Sequence, residues 1–326
     1  MSALLTIKNY VKVNSLEEAY ELNQKRSAKV LGGTLWLKMG NRNVQTAIDL
    51  STLGLDKIEE TDEAFKIGAM ATLRQIEKHE SLNAYTDGAV KECVRHIVGT
   101  QFRNCATVGG SIFGRFGFSD VLTCFLAMDA YVELYPTGIV SLEEFAKSPY
   151  GYEILVSLIV KKKPMKIAYE TIRRQATDFP VIAVAVAKWD EKYHVSVGAR
   201  PAKAAVVTTG EVEDAAEIAG KFTYGSNLRG SAEYRQHVAG VLIRRLHQRL
   251  EEKLMILKCF INGKAVTADI SPDMALLEFV RSQGCYSVKR GCETSNCGLC
   301  TVWVDGTPVL SCSTPAMRVE GKKVTT

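Results

Sequence analysis

Four of the nine cysteines lie close together near the end of the 326-residue sequence. Three of them follow the spacing C-x4-C-x2-C, and the fourth comes twelve positions after the third. This triple spacing is typical of thiolates that bind a plant-type [2Fe–2S] cluster. Structural zinc sites, the main alternative, usually pair their cysteines as two C-x2-C knuckles. The spacing therefore favours a cluster, and its candidate ligands are Cys292, Cys297, Cys300 and Cys312.

A hairpin is expected to bring the fourth cysteine back to the other three. The segments on either side of Asp305-Gly306 are strand-like, and this dipeptide favours a two-residue type I′ turn. With such a turn, Cys300 lies opposite Ser311, at the roughly 4.5–5.5 Å that separates facing side chains. Cys312 directly follows Ser311, so it is close to Cys300, the third candidate ligand, on the facing strand.

Two glycine pairs nearer the start of the chain are candidates for binding a nucleotide. Gly32-Gly33 follows a predicted strand, and Gly109-Gly110 lies in the stretch ATVGGSIFG. Glycines let backbone N–H groups converge on a phosphate without obstruction by side chains. Neither stretch is G-x-G-x-x-G or a Walker loop, so the sequence excludes a Rossmann or P-loop assignment.

Composition and charge narrow the class of protein. With 46% hydrophobic and 24% charged residues, the chain is an ordinary globular sequence long enough for two or three domains. Its net charge of +5 is spread out, which indicates neither nucleic-acid nor membrane binding. The start of the sequence lacks the apolar core of a signal peptide, and the apolar run VIAVAVA is too short to span a bilayer. We therefore predict a cytoplasmic protein, in which clustered thiols favour metal or redox roles over disulfides.

The predicted elements divide the chain into three parts. Strands and helices alternate up to residue 160, and this part is subdivided near residue 52. A capping box at Ser15–Glu18 marks the start of its first helix. Strands then precede helices, with a turn at Asp190–Lys192 and a long charged helix from Ser231. A new strand pattern begins at Leu254, which places a boundary near Lys253. The predicted parts are residues 1–160, 161–253 and 254–326, and together they indicate an α+β architecture.

Residues 254–326 resemble the plant-type [2Fe–2S] domain of the molybdenum hydroxylases, the xanthine dehydrogenase and aldehyde oxidase family. The C-x4-C-x2-C spacing and the fourth cysteine after a hairpin carry this resemblance. It implies a β-grasp, ferredoxin-like fold in which the four candidate cysteines bind the cluster. Cys259 and Cys285 have no place in the motif, and we interpret them as packing residues.

The glycine pairs resemble the flavoprotein subunit or domain of the same family. VLGGT matches the family's V-G-G/N-T loop, and GTQFRNCATVGGSIFGRFGFSD matches its longer second loop with a downstream aspartate. The later GSAEYRQHVAGVLIRRL is similar to the helical segment that closes the family's flavoprotein C-terminal domain. The resemblance covers residues 1–253. It implies the two-subdomain FAD-binding fold of vanillyl-alcohol oxidase and para-cresol methylhydroxylase, followed by an α+β C-terminal domain.

Carried over position by position, the resemblance implies FAD contacts along both loops. The loop residues would cradle the pyrophosphate and ribityl chain, the downstream aspartate would accept a hydrogen bond, and a strand arginine would supply a basic contact. No catalytic residue is implied on this chain. The implied cofactor-binding residues are Val30, Leu31, Gly32, Gly33, Thr34, Leu35, Trp36, Thr107, Gly109, Gly110, Ser111, Asp120 and Arg174.

The sequence departs from the family pattern in three respects. Ser111 stands where many relatives carry asparagine, and Gly114–Phe118 replaces a small-residue and proline stretch, so we expect a differently shaped flavin edge. The iron–sulfur part follows the flavin part, whereas single-chain relatives have it first. The sequence also stops where a second, helical iron–sulfur domain would begin. We therefore expect a partner subunit or a longer chain to supply that second cluster domain.

The resemblance implies an electron-transfer component of a molybdenum hydroxylase such as xanthine or purine dehydrogenase. A molybdopterin-containing large subunit would oxidise the substrate, and electrons would pass through [2Fe–2S] to FAD and on to NAD⁺. We therefore expect a hetero-oligomer with FAD and one [2Fe–2S] cluster on this chain. Three alternatives remain open: a stand-alone NADH:acceptor diaphorase, a CoA-ester reductase subunit and a non-catalytic module with structural zinc.

Overall fold

The computed structural model describes residues 5–41, 43–252, 254–292 and 294–326. The chain forms two compact units, Met1–Leu250 and Glu251–Thr326. Lys253, near which a boundary was predicted, lies outside the described residues, and the three predicted domain ranges stay predictions. None of the helices in the described ranges is long and apolar enough to cross a membrane.

The first unit contains three sheets built from twelve strands, as far as the structure describes it. The strands are β1 (Thr6–Lys12), β2 (Ala28–Leu31), β3 (Asn43–Asp49), β4 (Ile58–Glu60), β5 (Ala64–Gly68), β6 (Ala130–Tyr135), β7 (Gly138–Ser141), β8 (Ile154–Lys161), β9 (Lys166–Arg173), β10 (Pro180–Trp189), β11 (Lys192–Gly198) and β12 (Ala205–Thr209). The helices are α1 (Leu16–Asn23), α2 (Leu35–Lys38), α3 (Leu73–Lys78), α4 (Glu80–Tyr85), α5 (Ala89–Arg95), α6 (Thr100–Cys105), α7 (Val108–Phe113), α8 (Asp120–Leu126), α9 (Leu142–Lys147), α10 (Ala215–Gly220) and α11 (Ala232–Glu251).

The first sheet is parallel, in the order β1-β3-β2, and it leads into the first glycine loop. Helix α1 crosses between β1 and β2, and Ser15 caps it by accepting a hydrogen bond from the amide of Glu18 at 3.2 Å. The predicted capping box is only partly formed, because the Glu18 carboxylate accepts from the Asn14 amide at 2.8 Å. The loop that carries Gly32-Gly33 starts where β2 ends.

The second sheet is antiparallel throughout, in the order β4-β5-β8-β6-β7. Helices α3 to α8 lie between β5 and β6 in the chain, and the second glycine pair falls inside α7. The insertion of helices into an antiparallel sheet makes this part α+β. Phe65, Leu122 and Phe125 are among the buried residues of its core.

The third sheet is antiparallel, in the order β12-β11-β10-β9, and buried side chains of α10 and α11 pack on it. Strand β10 is buried on both faces: Val184 belongs to the core shared with the helices, and Ala185 belongs to the core of the second sheet. This double burial explains the continuous apolar run VIAVAVA. The turn into β11 has two residues, Asp190 and Glu191, not the predicted three, because Trp189 pairs with Lys192.

The second unit is a mixed five-stranded sheet in the order β14-β13-β17-β15-β16. The predicted type I′ turn at Asp305-Gly306 is confirmed, and Asn262-Gly263 forms a second such turn, since both residues of each dipeptide have positive φ angles. The elements are β13 (Met255–Ile261), β14 (Lys264–Ile270), α12 (Leu276–Ser282), β15 (Thr301–Val304), β16 (Thr307–Leu310), a 3₁₀ turn (Ala316–Val319) and β17 (Lys323–Thr325).

A buried ion pair holds helix α6, which leads directly into the second glycine loop. Arg103 is only 6% exposed, and its Nε lies 2.7 Å from Oε2 of Glu77 in α3. The same guanidinium donates to the carbonyls of Ile97 and Val98, each at 3.2 Å. A charge buried this deeply depends on its partners, because removing one partner leaves the other uncompensated.

Arg103→Met is therefore expected to lower the free energy of unfolding of the first unit by about 3 kcal/mol. The matched control is Arg95→Met, because Arg95 pairs with Glu92 at 2.9 Å on an exposed helix face. Its loss is expected to cost no more than about 0.5 kcal/mol. Urea unfolding followed by circular dichroism measures both, and equal losses would contradict the structural role of the buried pair.

Candidate cofactor sites

The two glycine loops of the first unit touch each other backbone to backbone. A Cβ atom added at Gly33 would lie 2.0 Å from the carbonyl oxygen of Cys105, and one at Gly32 would lie 2.8 Å from Oγ1 of Thr107. Side chains do not approach other atoms this closely, so the contact requires glycine at both positions. The structure thus brings together two loops that are about seventy residues apart in the sequence.

The amides of the second loop are already bonded within the protein. The N–H of Gly109 donates to the carbonyl of Ala69 at 2.8 Å, and the N–H of Gly110 donates to Oγ1 of Thr107 at 3.1 Å. The N–H of Ser111 donates to the Thr107 carbonyl at 3.1 Å. Thr107 therefore caps α7. The FAD contacts assigned to Thr107, Gly109, Gly110 and Ser111 stay predictions.

The first loop keeps its donors free. Within residues 5–41, 43–252, 254–292 and 294–326, no hydrogen bond uses the backbone N–H of Gly33, Thr34 or Leu35. Thr34 has a φ of 59°, a left-handed conformation that is unusual for a β-branched residue and that is found mainly at functional sites. Free amides in a glycine-lined cradle are the donors that a pyrophosphate needs. The residues present therefore fit this part of FAD.

Asp120 lies at the start of α8 and is almost fully buried, at 5% exposure. The hydroxyl of Tyr169 and the guanidinium of Arg173 both donate hydrogen bonds to its Oδ1. Burial raises the pKa of the Asp120 carboxyl, and the charge of Arg173 opposes that rise. The hydrogen bond from the cofactor to this carboxylate stays a prediction.

Arg174 and Arg173 take different positions in the structure. Arg174 is exposed, whereas the side chain of Arg173 is 8% exposed and reaches Asp120. Side chains alternate along a strand, so Arg173 shares a face of β9 with Tyr169, four residues earlier. The alternation of side chains along the strand is the signal in the sequence that could have identified Arg173. The FAD contact assigned to Arg174 stays a prediction.

The four motif cysteines of the second unit form two pairs. The amide of Cys297 donates to Sγ of Cys292 at 3.3 Å, and the amide of Cys292 lies 3.5 Å from Sγ of Cys297. Cys300 and Cys312 meet through their thiols, which lowers the pKa of Cys312, while burial raises the pKa of Cys300. The predicted hairpin register is confirmed, because Thr301 pairs with Leu310 and the next pair outward is Cys300 with Ser311.

The loop around Cys292 supports a thiolate. Hydrogen bonds from the Thr294 side chain and from the amides of Thr294, Cys297 and Asn296 lower the pKa of Cys292 to about 6. At neutral pH its sulfur is thus mainly in the form that binds metal. Backbone N–H donors to sulfur also tune the reduction potential of iron–sulfur clusters.

The paired arrangement suits two irons better than one metal ion. Two pairs of thiols match a cluster of two irons held by four cysteines. Cys259 is buried in the core of the unit, as predicted for a packing residue, and Cys285 is half-buried beside Asn262.

Comparison with protein families agrees with both sites. Residues 5–163 match the model of the FAD binding domain in molybdopterin dehydrogenase, and residues 259–325 match the 2Fe-2S iron-sulfur cluster binding domain. The chain is a flavin and iron–sulfur member of the molybdenum hydroxylase family. Its predicted α+β fold, with an FAD-binding part and a ferredoxin-like part, is thereby confirmed.

Two relatives and one solved structure illustrate this membership. The xanthine dehydrogenase iron-sulfur-binding subunit of Escherichia coli O157:H7 is 44% identical over 70 residues, which are 22% of this chain and 44% of that protein. The nicotine 6-hydroxylase medium subunit of Paenarthrobacter nicotinovorans is 25% identical over 268 residues, covering 72% of this chain and 94% of that protein. A structure of the Cu,Mo-CO dehydrogenase superposes with a TM-score of 0.66 at 24% identity, over 75% of this chain and 97% of that one, which establishes a shared fold.

Gly33→Ala is expected to weaken FAD binding at least about tenfold, because the added methyl group drives the first loop away from Cys105. Gly210→Ala is the control, since a Cβ there meets nothing within 4 Å. Isothermal titration of the flavin-free protein with FAD measures the effect. Wild-type affinity in Gly33→Ala would show that the contact between the loops does not shape the site.

Cys297→Ser is expected to reduce the iron content from about two atoms per chain to almost none, because the first thiol pair is broken. Cys285→Ser is the control, since this half-buried thiol lies outside the motif. Metal analysis and the visible spectrum after anaerobic reconstitution report the outcome. Retention of both irons in Cys297→Ser would exclude this cysteine as a ligand.

Proposed function

We propose that this chain is the electron-transfer component of a molybdenum hydroxylase, acting beside a molybdopterin-containing large subunit. The observation that carries the proposal is the presence of an FAD-binding domain and a 2Fe-2S-binding domain on one chain. When bound, these groups supply complementary redox chemistry: a cluster transfers single electrons, and a flavin also exchanges hydride. The chain has the residues to hold both groups and no site of its own that we assign to substrate.

The chain's own residues hold and tune the two groups in this proposal. The free amides of Gly33, Thr34 and Leu35 bind the pyrophosphate, and α7 with its Thr107 cap fixes that loop from behind. The hydrogen bonds around Cys292 keep its sulfur ionised before metal binds. Most of these contacts are formed by backbone groups whose direction is set by the loop conformation, so the sites are preorganised.

A separate subunit for substrate oxidation is supported by the names of the relatives. One relative of the flavin part is named a medium subunit, and one relative of the cluster part is named an iron-sulfur-binding subunit. We infer that the present chain combines two components of such a complex and works as part of a hetero-oligomer. We also propose a cytoplasmic location, which agrees with nine free cysteines.

For the reaction of the complex we propose hydroxylation of xanthine or another purine, with NAD⁺ as the final acceptor. The similarity of the cluster part to the xanthine dehydrogenase subunit favours a purine as the first substrate to test. The other two proteins are named for nicotine and carbon monoxide, so the family resemblance supports the reaction class more strongly than any one substrate. A different N-heterocycle or an aldehyde is the next choice.

Affinity purification of the tagged chain from its native cells tests the proposal. We expect a large subunit and molybdenum to co-purify, and the complex to reduce NAD⁺ when xanthine is added. Purification with FAD and iron but without molybdenum, together with rapid NADH-dependent dye reduction, would instead establish a stand-alone diaphorase. A colourless protein that contains zinc would contradict both functions.

A further inference from the structure

The edge strand β1 of the first sheet is open along its length. In the order β1-β3-β2 it pairs with β3, and none of the described strands lies on its other side. Six of its seven residues are exposed, among them Ile7 at 39% and Tyr10 at 56%. An uncovered strand edge presents backbone donors and acceptors that another strand can use.

Strand β1 has few of the features that usually protect a sheet edge from pairing, which are prolines, bulges, covering elements and charges. Its sequence TIKNYVK contains no proline, and Lys8 and Lys12 are its only charged residues. The pairing with β3 keeps one register from Thr6 opposite Asn43 to Lys12 opposite Asp49, so the strand has no bulge. An edge this long and regular is suited to pairing with another strand.

The two faces of β1 differ in chemistry. Val11 packs against the core that α1 shares with the sheet, and Ile7 lies on the same face because side chains alternate along a strand. Lys8 and Tyr10 lie on the opposite face, where the Tyr10 hydroxyl donates a hydrogen bond to the Asp49 carboxylate. One face of the edge is therefore apolar, and the other combines cations with an aromatic ring.

The sequence of β1 is complementary to a second copy of itself in one antiparallel register. When identical strands pair across a twofold axis, facing side chains lie on the same face of the sheet, so the axis passes through a residue position. With Asn9 on the axis, Ile7 faces Val11 of the second copy, and Lys8 faces Tyr10 of the second copy. The first pair is apolar, and the second places an ammonium group beside an aromatic ring.

The neighbouring registers are less favourable because they oppose like charges. An axis at Lys8 places two lysines directly opposite each other, and an axis at Tyr10 places Lys8 opposite Lys12 of the second copy. Like charges that face each other destabilise a strand pair. Registers shifted further leave a shorter overlap between the strands. Charge and length therefore both select the register with Asn9 on the axis.

We propose that the β1 edge binds a second copy of this chain, so that two three-stranded sheets join into one sheet of six strands with Asn9 on the twofold axis. Pairing satisfies the backbone groups of both edges and removes the exposed surface of Ile7 from water. A pair of seven-residue strands is a small interface, so we expect a reversible dimer with micromolar affinity. The inference is independent of FAD, of the cluster and of the large subunit.

Sedimentation velocity of the full chain under reducing conditions, from about 1 to 200 µM, tests the proposal. We expect a shift from monomer to dimer over this range. Tyr10→Lys is expected to weaken the dimer at least about tenfold, because it places a second cation opposite Lys8 at two symmetric positions. Combining it with Lys8→Glu is expected to restore the dimer, since each new ammonium group then faces a carboxylate. Tyr152→Lys, which makes the same change at an exposed tyrosine outside β1, is the control.

A cysteine cross-link tests the register itself. Asn9→Cys places two thiols opposite each other, so treatment with glutathione disulfide is expected to join most chains. The two thiols form one disulfide, and glutathione disulfide takes up their two electrons and two protons to become two glutathione molecules. Lys8→Cys is expected to give little cross-link above the wild-type background, because its two Cα atoms are then more than about 7 Å apart.

Three results would overturn the proposal. The first is a monomer at every concentration, and the second is equal cross-linking of Asn9→Cys and Lys8→Cys. The third is a dimer that Tyr10→Lys leaves unchanged, which would assign self-association to another surface. Circular dichroism of each variant verifies that a loss of the dimer is not a loss of the fold.

Discussion

The approach of Gly33 to the carbonyl of Cys105 is the constraint on which the flavin site depends. At this point the backbones of two loops are in direct contact, and a single methyl group on the first would occupy the position of the second. The backbone amides of the two loops differ in their hydrogen bonding. The amides of Gly109, Gly110 and Ser111 in the second loop donate hydrogen bonds within the protein. The first loop lies against it, and its amides donate none to the residues that the structure describes.

Rigid supports recur around this site. The ion pair of Arg103 with Glu77 holds the helix that precedes the second loop, and Arg115 holds the segment that follows it. Both arginines are buried, and both donate hydrogen bonds to backbone carbonyl groups of neighbouring segments. Buried cations placed in this way cost free energy when their partners are lost, so they define one geometry strongly. The stretch from α6 to α8 is therefore held in one geometry beside the proposed FAD site.

The backbone geometry of the iron–sulfur unit is also fixed, but by local structure. Its cysteine loop and its two hairpins are short, and their geometry is set by left-handed residues such as Ser295, Gly298 and Gly306. Amides that point toward Cys292 stabilise its negative charge. In both units, then, backbone N–H groups are the donors that we propose for the negative charge of the ligand or of its anchor. This is the common physical principle of the two cofactor sites.

The sequence by itself determined the features that depend on neighbours a few residues apart. Cysteine spacing, the Asp305-Gly306 turn and the register that returns Cys312 to Cys300 are of this kind, because hairpin geometry follows from the turn. The resemblance to known loops also located both glycine pairs. Only the tertiary structure decided which loop keeps its amides free, that Arg173 rather than Arg174 reaches Asp120, and that rings far apart in the sequence pack together. Those outcomes depend on how separate elements pack, and packing between distant residues leaves no fixed spacing in a single sequence.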